Sequence, residues 1–335
     1  MKNFNRCILL IVFLSCIFVL CSCKPRTEPF SKTGFYFDTV VTITLYDKKD
    51  SAYIDGAFEL CSQYEQRFSR TIADSEISRL NADGQLRNAD STTIDIVTTA
   101  LHYSQLTSGA FDISIAPLSI LWNFTGENPS VPAAASIAAA RKSVDYTQIS
   151  VSQDTITLQQ GMAVDLGGIA KGYIADAIKQ YLQAQGVTQG IINLGGNILT
   201  FGGKPDGSPF KLGIQYPYAA SGQTIASFEA ADCSLVSSGC YERYFEENGV
   251  QYHHILNPKT GYPVENDLLS VTILSESSAA GDALSTACYV LGKEKATQLL
   301  QTLDGIEAVF VDKDYKISVT DGLSYDAKTQ MISRK

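Results

Sequence analysis

The segment from Ala163 to Leu182 constrains the fold of this chain more than any other. A short predicted strand, Ala163-Val164-Asp165-Leu166, leads through Gly167-Gly168 into a stretch whose apolar residues recur at helical spacing: Ile169, Tyr173, Ile174, Ala177, Ile178, Tyr181 and Leu182. This order predicts a strand, a tight glycine turn and the start of a helix. Such a turn presents free backbone N–H groups to an anion, although an ordinary strand-to-helix connection shows the same pattern.

Lys171 supports the anion-binding interpretation. It falls in the first turn of the predicted helix, where a positive side chain opposes the helix dipole. This placement is unfavourable unless a negative group lies nearby. The segment matches neither the phosphate loop of nucleoside triphosphatases nor the GxGxxG dinucleotide fingerprint. A second glycine pair, Gly195-Gly196, follows the predicted strand Ile191–Leu194. Glycine there permits a close ligand or a positive φ, and a plain turn is the alternative.

The rest of the chain alternates between strand and helix patterns without the strict order of parallel βαβ units. A β-branched strand covers Val40–Tyr46, and helices run from Ser51 to about Phe68 and from Thr92 to Thr107. Val151–Leu158 predicts one strand of a hairpin, and two short strands near residues 308–319 close the chain. The sequence therefore predicts an α/β (α+β) fold of mixed β-sheets with flanking helices.

Two of the three histidines are adjacent, at His253 and His254, after a predicted hairpin turn at Asn248-Gly249. Neighbouring residues on a strand point to opposite faces, so both cannot bind one metal from a regular strand. One of them can face a site, because a neutral histidine has a pKa in the catalytic range. A purely structural histidine beside the following Pro-Gly turn is the alternative.

Asp282 and Thr286 lie four positions apart on a predicted helix and therefore on one face. Carboxylate and hydroxyl oxygens are ligands suited to Mg²⁺ rather than zinc. The alternative is an aspartate favoured by the helix dipole and an unrelated threonine.

The first 23 residues predict an export signal. Lys2 and Arg6 precede an apolar stretch from Cys7 to Leu20, which is shorter than a spanning helix needs, and Leu20-Cys21-Ser22-Cys23 resembles a bacterial lipobox. We expect residues 1–23 to be a lipoprotein signal, residues 24–33 a tether and residues 34–335 the folded domain. Cys23 would carry the lipid and anchor the protein to the cell membrane on its extracytoplasmic side. An uncleaved membrane anchor is the alternative.

Charge and cysteine spacing exclude several classes of protein. The net charge of −9 argues against nucleic acid as a partner, since phosphate backbones need a basic surface. The eight cysteines contain no CxxC pair, which argues against a zinc ribbon or a thioredoxin-like site. Cys233 and Cys240 remain candidates for a disulfide, with buried free thiols as the alternative.

Taken together, these segments resemble the ApbE family of FAD:protein FMN transferases. The resemblance covers about residues 35–310 and rests on several motifs in the family's order: DTVVTITLY (38–46), DSEISRLN (74–81), GAFDIS (109–114), DLGGIAKGYIAD (165–176), INLGGNI (192–198), SGCYERYF (238–245), YHHILNPKTGYP (252–263) and GDALSTA (281–287). It implies a T-fold-related core with a smaller associated lobe. It also implies that FAD is cleaved with Mg²⁺, that AMP is released, and that FMN is attached to a threonine or serine of an exported flavoprotein, such as a redox-pump subunit.

The resemblance also implies roles for individual residues. Metal ligands fall on Asp282, Thr286 and the carbonyl of Gly168, and the proposed base falls on His254. Contacts to FAD fall on Phe37, Thr71, Phe111, Asp112, Asp165, Lys171 and Ile255. Three positions depart from the family pattern: Phe37 replaces a frequent methionine, Thr71 an aromatic residue that stacks on the flavin, and Cys240 an acidic residue.

Three other activities compete with FMN transfer. An Mg²⁺-dependent FAD pyrophosphatase would use the same site but pass FMN to water. A non-catalytic FAD-binding lipoprotein would not need Asp282 and Thr286. A solute-binding lipoprotein of a transporter would be two-lobed and would need neither residue.

Overall fold

The computed structural model describes residues 28–46, 48–220 and 222–335. The strands are β1 (Phe30–Tyr36), β2 (Thr39–Leu45), β3 (Gln85–Leu86), β4 (Ser150–Ser152), β5 (Thr155–Thr157), β6 (Gly190–Leu194), β7 (Asn197–Phe201), β8 (Phe210–Gln215), β9 (Thr224–Ala230), β10 (Cys233–Gly239), β11 (Tyr244–Glu247), β12 (Val250–His253), β13 (Leu268–Ser275), β14 (Glu307–Asp312), β15 (Ile317–Val319), β16 (Leu323–Asp326) and β17 (Met331–Arg334). The largest sheet has eight strands in the order β1-β2-β6-β7-β10-β13-β14-β15 and is antiparallel throughout.

Helices cover one face of this sheet. They are α1 (Ile54–Phe68), α2 (Glu76–Asp83), α3 (Ser91–Leu106), α4 (Ala116–Trp122), α5 (Ala134–Arg141), α6 (Ala170–Ala184), α7 (Ser278–Leu291) and α8 (Lys293–Leu300), with short 3₁₀ turns at Lys48–Tyr53, Ile113–Ile115 and Tyr146–Gln148. Helix α6 presents an apolar stripe that includes Ile174, Ile178 and Leu182, and these side chains are fully buried. Helix α7 is buried almost along its whole length, so it forms the centre of the layer.

A four-stranded sheet, β16-β17-β9-β8, covers the opposite face. Its apolar side chains, among them Phe210, Phe228 and Ile332, form one buried cluster with Leu235, Leu274 and Val309 of the large sheet. The large sheet is thus buried on both faces, which explains why every residue of β13 is buried.

A smaller apolar cluster lies around Trp122, whose Nε1 donates to the carbonyl of Gly261 at 2.8 Å. Helices α4 and α5 supply part of it, and Phe245 and Tyr252 of the β11–β12 ribbon pack beside it. This cluster packs against the β11–β12 ribbon, and the two histidines lie at the end of β12. The prediction of an α+β fold with mixed sheets and flanking helices is confirmed.

The structure corrects several predicted elements. Ala163–Leu166 is not a strand, because its backbone bonds with side-chain and loop groups rather than with a neighbouring strand. Val151–Leu158 contains the turn of the β4–β5 hairpin instead of one strand. Strands β16 and β17 were not predicted, and β1 begins at Phe30, inside the predicted tether 24–33.

Residues 1–23, including Cys23, lie outside the described residues. No helix that the structure describes is both long and apolar enough to cross a membrane. The four cysteines in the described part of the chain, Cys61, Cys233, Cys240 and Cys288, are free and buried. Cys233 begins β10 and Cys240 follows its last residue, so the two are roughly 20 Å apart at the rise of an extended strand and do not pair.

Candidate active site

The glycine turn before α6 is fixed by side chains from distant parts of the chain. Asn81 of α2 bonds Val164 in both directions: its Nδ2 donates to the carbonyl at 2.9 Å and its Oδ1 accepts the N–H at 2.7 Å. Asp165 accepts the N–H of Gly167 on Oδ1 at 2.8 Å and pairs with Arg70 Nε on Oδ2 at 2.9 Å. Asn81 therefore supplies the backbone partners that a neighbouring strand would give, and the turn has one defined geometry.

Helices α6 and α7 cap each other where their N-terminal ends converge. Asp282 of α7 accepts the backbone N–H of Gly172 in the first turn of α6, at 3.0 Å. Asp176 of α6 accepts the N–H groups of Ser278 and Ala279 at the start of α7, at 2.9 and 3.0 Å. A Cβ on Gly172 would overlap the carbonyl oxygen of Ser278, so glycine permits this approach. Each carboxylate offsets the positive end of the neighbouring helix.

The second oxygen of Asp282 faces a cation. Lys171 Nζ lies 3.5 Å from Asp282 Oδ1 and 3.1 Å from the carbonyl oxygen of Gly167. Thr286, one turn further along α7, is the one residue of 279–289 that is not buried. Its Oγ1 lies 3.6 Å from the position of a Cβ built on Gly168. Carboxylate, hydroxyl and carbonyl oxygens therefore converge beside the glycine turn, and these are the ligand types that Mg²⁺ prefers.

Within the described residues, no group of three or more His, Cys, Asp or Glu side chains is arranged to hold a metal ion. The cation-accepting set is instead one carboxylate with neutral oxygens. Mg²⁺ in nucleotide sites is commonly bound in this way, through one or two carboxylates and the phosphates of the substrate. The residues at Gly168, Asp282 and Thr286 therefore fit the ion that the sequence predicts.

Phe111 and Asp112 lie beside the same turn. The Phe111 ring is 3.1 Å from a Cβ built on Gly168, so it covers the glycine. Asp112 is buried and accepts the N–H of Ser114 at 2.8 Å and that of Tyr146 at 3.3 Å. Burial raises the pKa of the Asp112 carboxyl, and these hydrogen bonds oppose the rise. Asp112 caps a 3₁₀ turn next to the site, and its contact with FAD stays a prediction.

Phe37 and Thr71 belong to two loops. Phe37 and Asp38 form the β1–β2 turn with positive φ angles of 56° and 55°, a backbone conformation that residues other than glycine rarely adopt. The N–H of Phe37 donates to Glu65 of α1 at 2.6 Å, which holds the turn against the helix layer. Thr71 is exposed and follows Arg70. Both residues stay predicted FAD contacts.

The structure separates the two histidines by their hydrogen bonds. His253 ends β12 and is 7% exposed. Its Nε2 lies 3.0 Å from the carbonyl of Val264 and therefore donates, while its Nδ1 accepts the N–H of the buried Ile255 at 3.3 Å. Burial lowers the pKa of His253. Since both ring nitrogens have partners, His253 is a structural histidine.

His254 follows the end of β12 and is only partly buried. Its Nδ1 lies 3.2 Å from the carbonyl oxygen of Arg243, which can only accept, so Nδ1 carries the proton and Nε2 keeps its lone pair. Burial lowers the pKa of His254, and the positive charges of Arg243 and Lys171 act in the same direction. A neutral imidazole with a free Nε2 is suited to accept a proton.

Replacing Arg243 with glutamine should therefore shift the acid limb of the pH–rate profile to higher pH. A base with a lowered pKa stays unprotonated in acid, so kcat/KM should fall only below the ordinary histidine value of about 6.5. Removing the Arg243 charge should raise the pKa of His254 and bring the fall closer to that value. The measurement is kcat/KM against pH for both proteins. The exposed Arg87→Gln is the control, and an equal shift in both variants would contradict the assignment.

Several residues at the site carry no role in the sequence prediction. Asn81 and Arg70 fix the glycine turn, and Arg243 positions His254. Asn81 and Arg243 lie inside the DSEISRLN and SGCYERYF motifs. The motifs therefore indicated both positions. The partner of Asn81 lies 83 residues away and follows only from the fold, whereas Arg243 and His254 meet across the β11–β12 hairpin.

The ApbE family model matches residues 37–310. An FAD:protein FMN transferase of Treponema pallidum is 32% identical over 325 residues, covering 90% of each chain. One from Klebsiella pneumoniae is 34% identical over 293 residues and covers 86% of this chain and 90% of the relative.

Solved structures give the same result. The ApbE protein of Thermotoga maritima superposes with a TM-score of 0.82 at 30% identity, covering 88% of this chain and 97% of that one. The apo form of the flavinyl transferase ApbE of Pseudomonas stutzeri gives a TM-score of 0.77 at 29% identity, covering 88% and 95%. Sequence and structure agree over nearly the whole described chain, and the chain belongs to the ApbE family.

Proposed function

We propose that this protein is an FAD:protein FMN transferase, which moves FMN from FAD to a threonine or serine hydroxyl of an acceptor protein and releases AMP. The main support is one juxtaposition: the Lys171 ammonium lies 3.5 Å from Asp282 and 3.1 Å from the Gly167 carbonyl, and its positive charge helps to lower the pKa of His254. The names of the relatives support the same activity.

Asp282, Thr286 and the carbonyl of Gly168 would hold Mg²⁺. When bound, the ion would neutralise negative charge on the phosphoryl oxygens. Lys171 supplies a second positive charge from the protein itself, and the N-terminal end of α6 favours the same negative group. This combination explains how an acidic chain can bind a pyrophosphate.

His254 is the proposed base. In the transfer, the acceptor hydroxyl gives its proton to Nε2 while its oxygen forms a bond to the FMN phosphorus. The bond between that phosphorus and the bridging oxygen breaks, and AMP leaves with that oxygen. The Arg243 carbonyl keeps the other proton on Nδ1, so Nε2 stays directed to the acceptor.

The test is incubation of the purified protein with FAD and MgCl₂, with and without an exported flavoprotein acceptor. We expect AMP by chromatography and an acceptor mass increased by one FMN less one water. AMP without the mass increase would favour the FAD pyrophosphatase. Bound FAD without AMP would favour a non-catalytic FAD-binding protein. The absence of both FAD binding and AMP release would favour a solute-binding protein.

The site of action is proposed to be the cell membrane, facing the extracytoplasmic side. The lipobox-like Leu20–Cys23 and the charged segment after it support a lipid anchor on Cys23. An anchored enzyme of this kind would meet exported flavoproteins, such as subunits of redox pumps, at the membrane surface.

Replacing Cys23 with alanine should release the protein from membranes, because the lipid-bearing thiol is lost. The measurement is the distribution between membrane and soluble fractions, together with the mass of the mature N-terminus. Cys21→Ala is the matched control and should stay anchored. Continued membrane association of Cys23→Ala with an intact signal segment would favour the uncleaved anchor.

A further inference from the structure

Alternate residues of β10 contact α7 along its length. Ser234 Oγ donates to Ser278 Oγ at 2.9 Å, at the start of the helix. Two residues further on, Val236 lies against Gly281, and then Ser238 Oγ lies 2.8 Å from Ser285 Oγ. Every second residue of the strand therefore lies beside successive turns of the helix. Ser238 is the residue of β10 that contacts a predicted metal ligand, Thr286.

Only one arrangement of protons satisfies all three hydroxyl contacts at once, because each hydroxyl donates one proton. Ser285 donates to the backbone carbonyl of Asp282 at 2.9 Å. Its proton is therefore not available to Ser238, so Ser238 donates to Ser285. Ser238 has then used its own proton, and at 3.3 Å it accepts the proton of Thr286. The chain of donors runs from Thr286 through Ser238 and Ser285 to the Asp282 carbonyl.

This direction matters for Thr286. A hydroxyl can bind a cation only through a lone pair, with its proton turned away. The chain turns the Thr286 proton toward Ser238, inside the protein, which leaves the lone pairs of Oγ1 for the side facing Gly168. Ser285, at the inner end of the chain, is fully buried, so no solvent exchange competes with this arrangement there.

We propose that Ser238 and Ser285 are positioning residues that orient the Thr286 hydroxyl for the cation. The proposal rests on the proposed function, which makes Thr286 a metal ligand. Groups that orient metal ligands typically change metal affinity by about 10–100-fold when removed. Ser234 provides the comparison, since it makes the same kind of bond to the same helix at a distance from Thr286.

The test compares Ser238→Val with Ser238→Thr in the full chain. Valine and threonine have nearly the same shape and differ in the hydroxyl, so steric effects on packing are shared. We would measure Mn²⁺ binding, as a probe for Mg²⁺, by electron paramagnetic resonance in the presence of ADP, which carries the pyrophosphate of FAD. Ser238→Val should bind Mn²⁺ about 10–100-fold more weakly than Ser238→Thr. Ser234→Ala should bind it like the native chain.

A double variant keeps the proposal testable if Ser238→Val weakens the fold. In a Thr286→Val background there is no proton to orient, so adding Ser238→Val should not weaken Mn²⁺ binding further. Equal Mn²⁺ affinity in Ser238→Val and Ser238→Thr would overturn the proposal, as would equal losses in Ser238→Val and Ser234→Ala. Unchanged Mn²⁺ binding in Thr286→Val alone would instead overturn the metal-ligand role in the proposed function.

Discussion

Replacing Asp282 with alanine should reduce the rate of FMN transfer by about 10³-fold or more. A bound cation stabilises the developing charge of the transition state by several kcal/mol, and about 1.4 kcal/mol of activation free energy equals a factor of ten in rate. Asp282 is the one charged member of the predicted ligand set, and Thr286 and the Gly168 carbonyl are neutral. The measurement is AMP release at saturating FAD and Mg²⁺. Excess Mg²⁺ should restore activity to Thr286→Ala better than to Asp282→Ala.

Asp282 also caps α6, so loss of activity must be separated from loss of structure. Asp282→Asn keeps the shape and an oxygen for the Gly172 N–H, and it should still be severely impaired because the charge is lost. Asp176→Ala is the matched control: it removes the reciprocal cap on α7, at a cost of about 0.5–2 kcal/mol in the free energy of unfolding. Its activity below the unfolding temperature should stay near the native value. Full FAD cleavage by Asp282→Ala with a chelator present would rule out the metal role.

Replacing His254 with alanine should lower the rate of FMN transfer by roughly 10²–10⁴-fold, the usual effect of losing a general base. The ring keeps its proton on Nδ1 through the Arg243 carbonyl, so Nε2 is the atom that is lost. FAD affinity should change little, because the base acts on the acceptor hydroxyl. Single-turnover rates with a saturating acceptor, alongside FAD titration, separate the two effects.

His253→Ala is the control for this prediction, and its expected effect is of another kind. Removing the ring leaves the Val264 carbonyl and the Ile255 N–H without their partners, which should cost about 1–3 kcal/mol in the free energy of unfolding. The transfer rate of the folded protein should stay closer to the native value. A large rate loss in His253→Ala with little loss in His254→Ala would show that the base is on the other side of the strand end.

The glycine turn shows how far local pattern could predict the site. Apolar spacing predicted α6 closely, and the i, i+4 relation placed Asp282 and Thr286 on one face of a predicted helix, now α7. The same reasoning predicted a strand at Ala163–Leu166, because a short, mostly apolar segment before a glycine pair is typical of a strand that ends in a turn. The structure instead has the Asn81 side chain in the place of a neighbouring strand. Local propensity contains no information on such a distant partner.

The sequence by itself determined the family, the α+β fold class and the residues that could carry the chemistry, because these depend on motif order and on periodicity within single segments. Only the tertiary structure decided which histidine has a free nitrogen, since that depends on the carbonyls of Arg243 and Val264. It also decided that Asp282 accepts the N–H of Gly172 and lies beside the Lys171 ammonium, and that Ser238 contacts Thr286. The roles of Asp282 and Ser238 depend on contacts between segments far apart in the chain, whose distances and directions are fixed only when the sheet and its helices pack together.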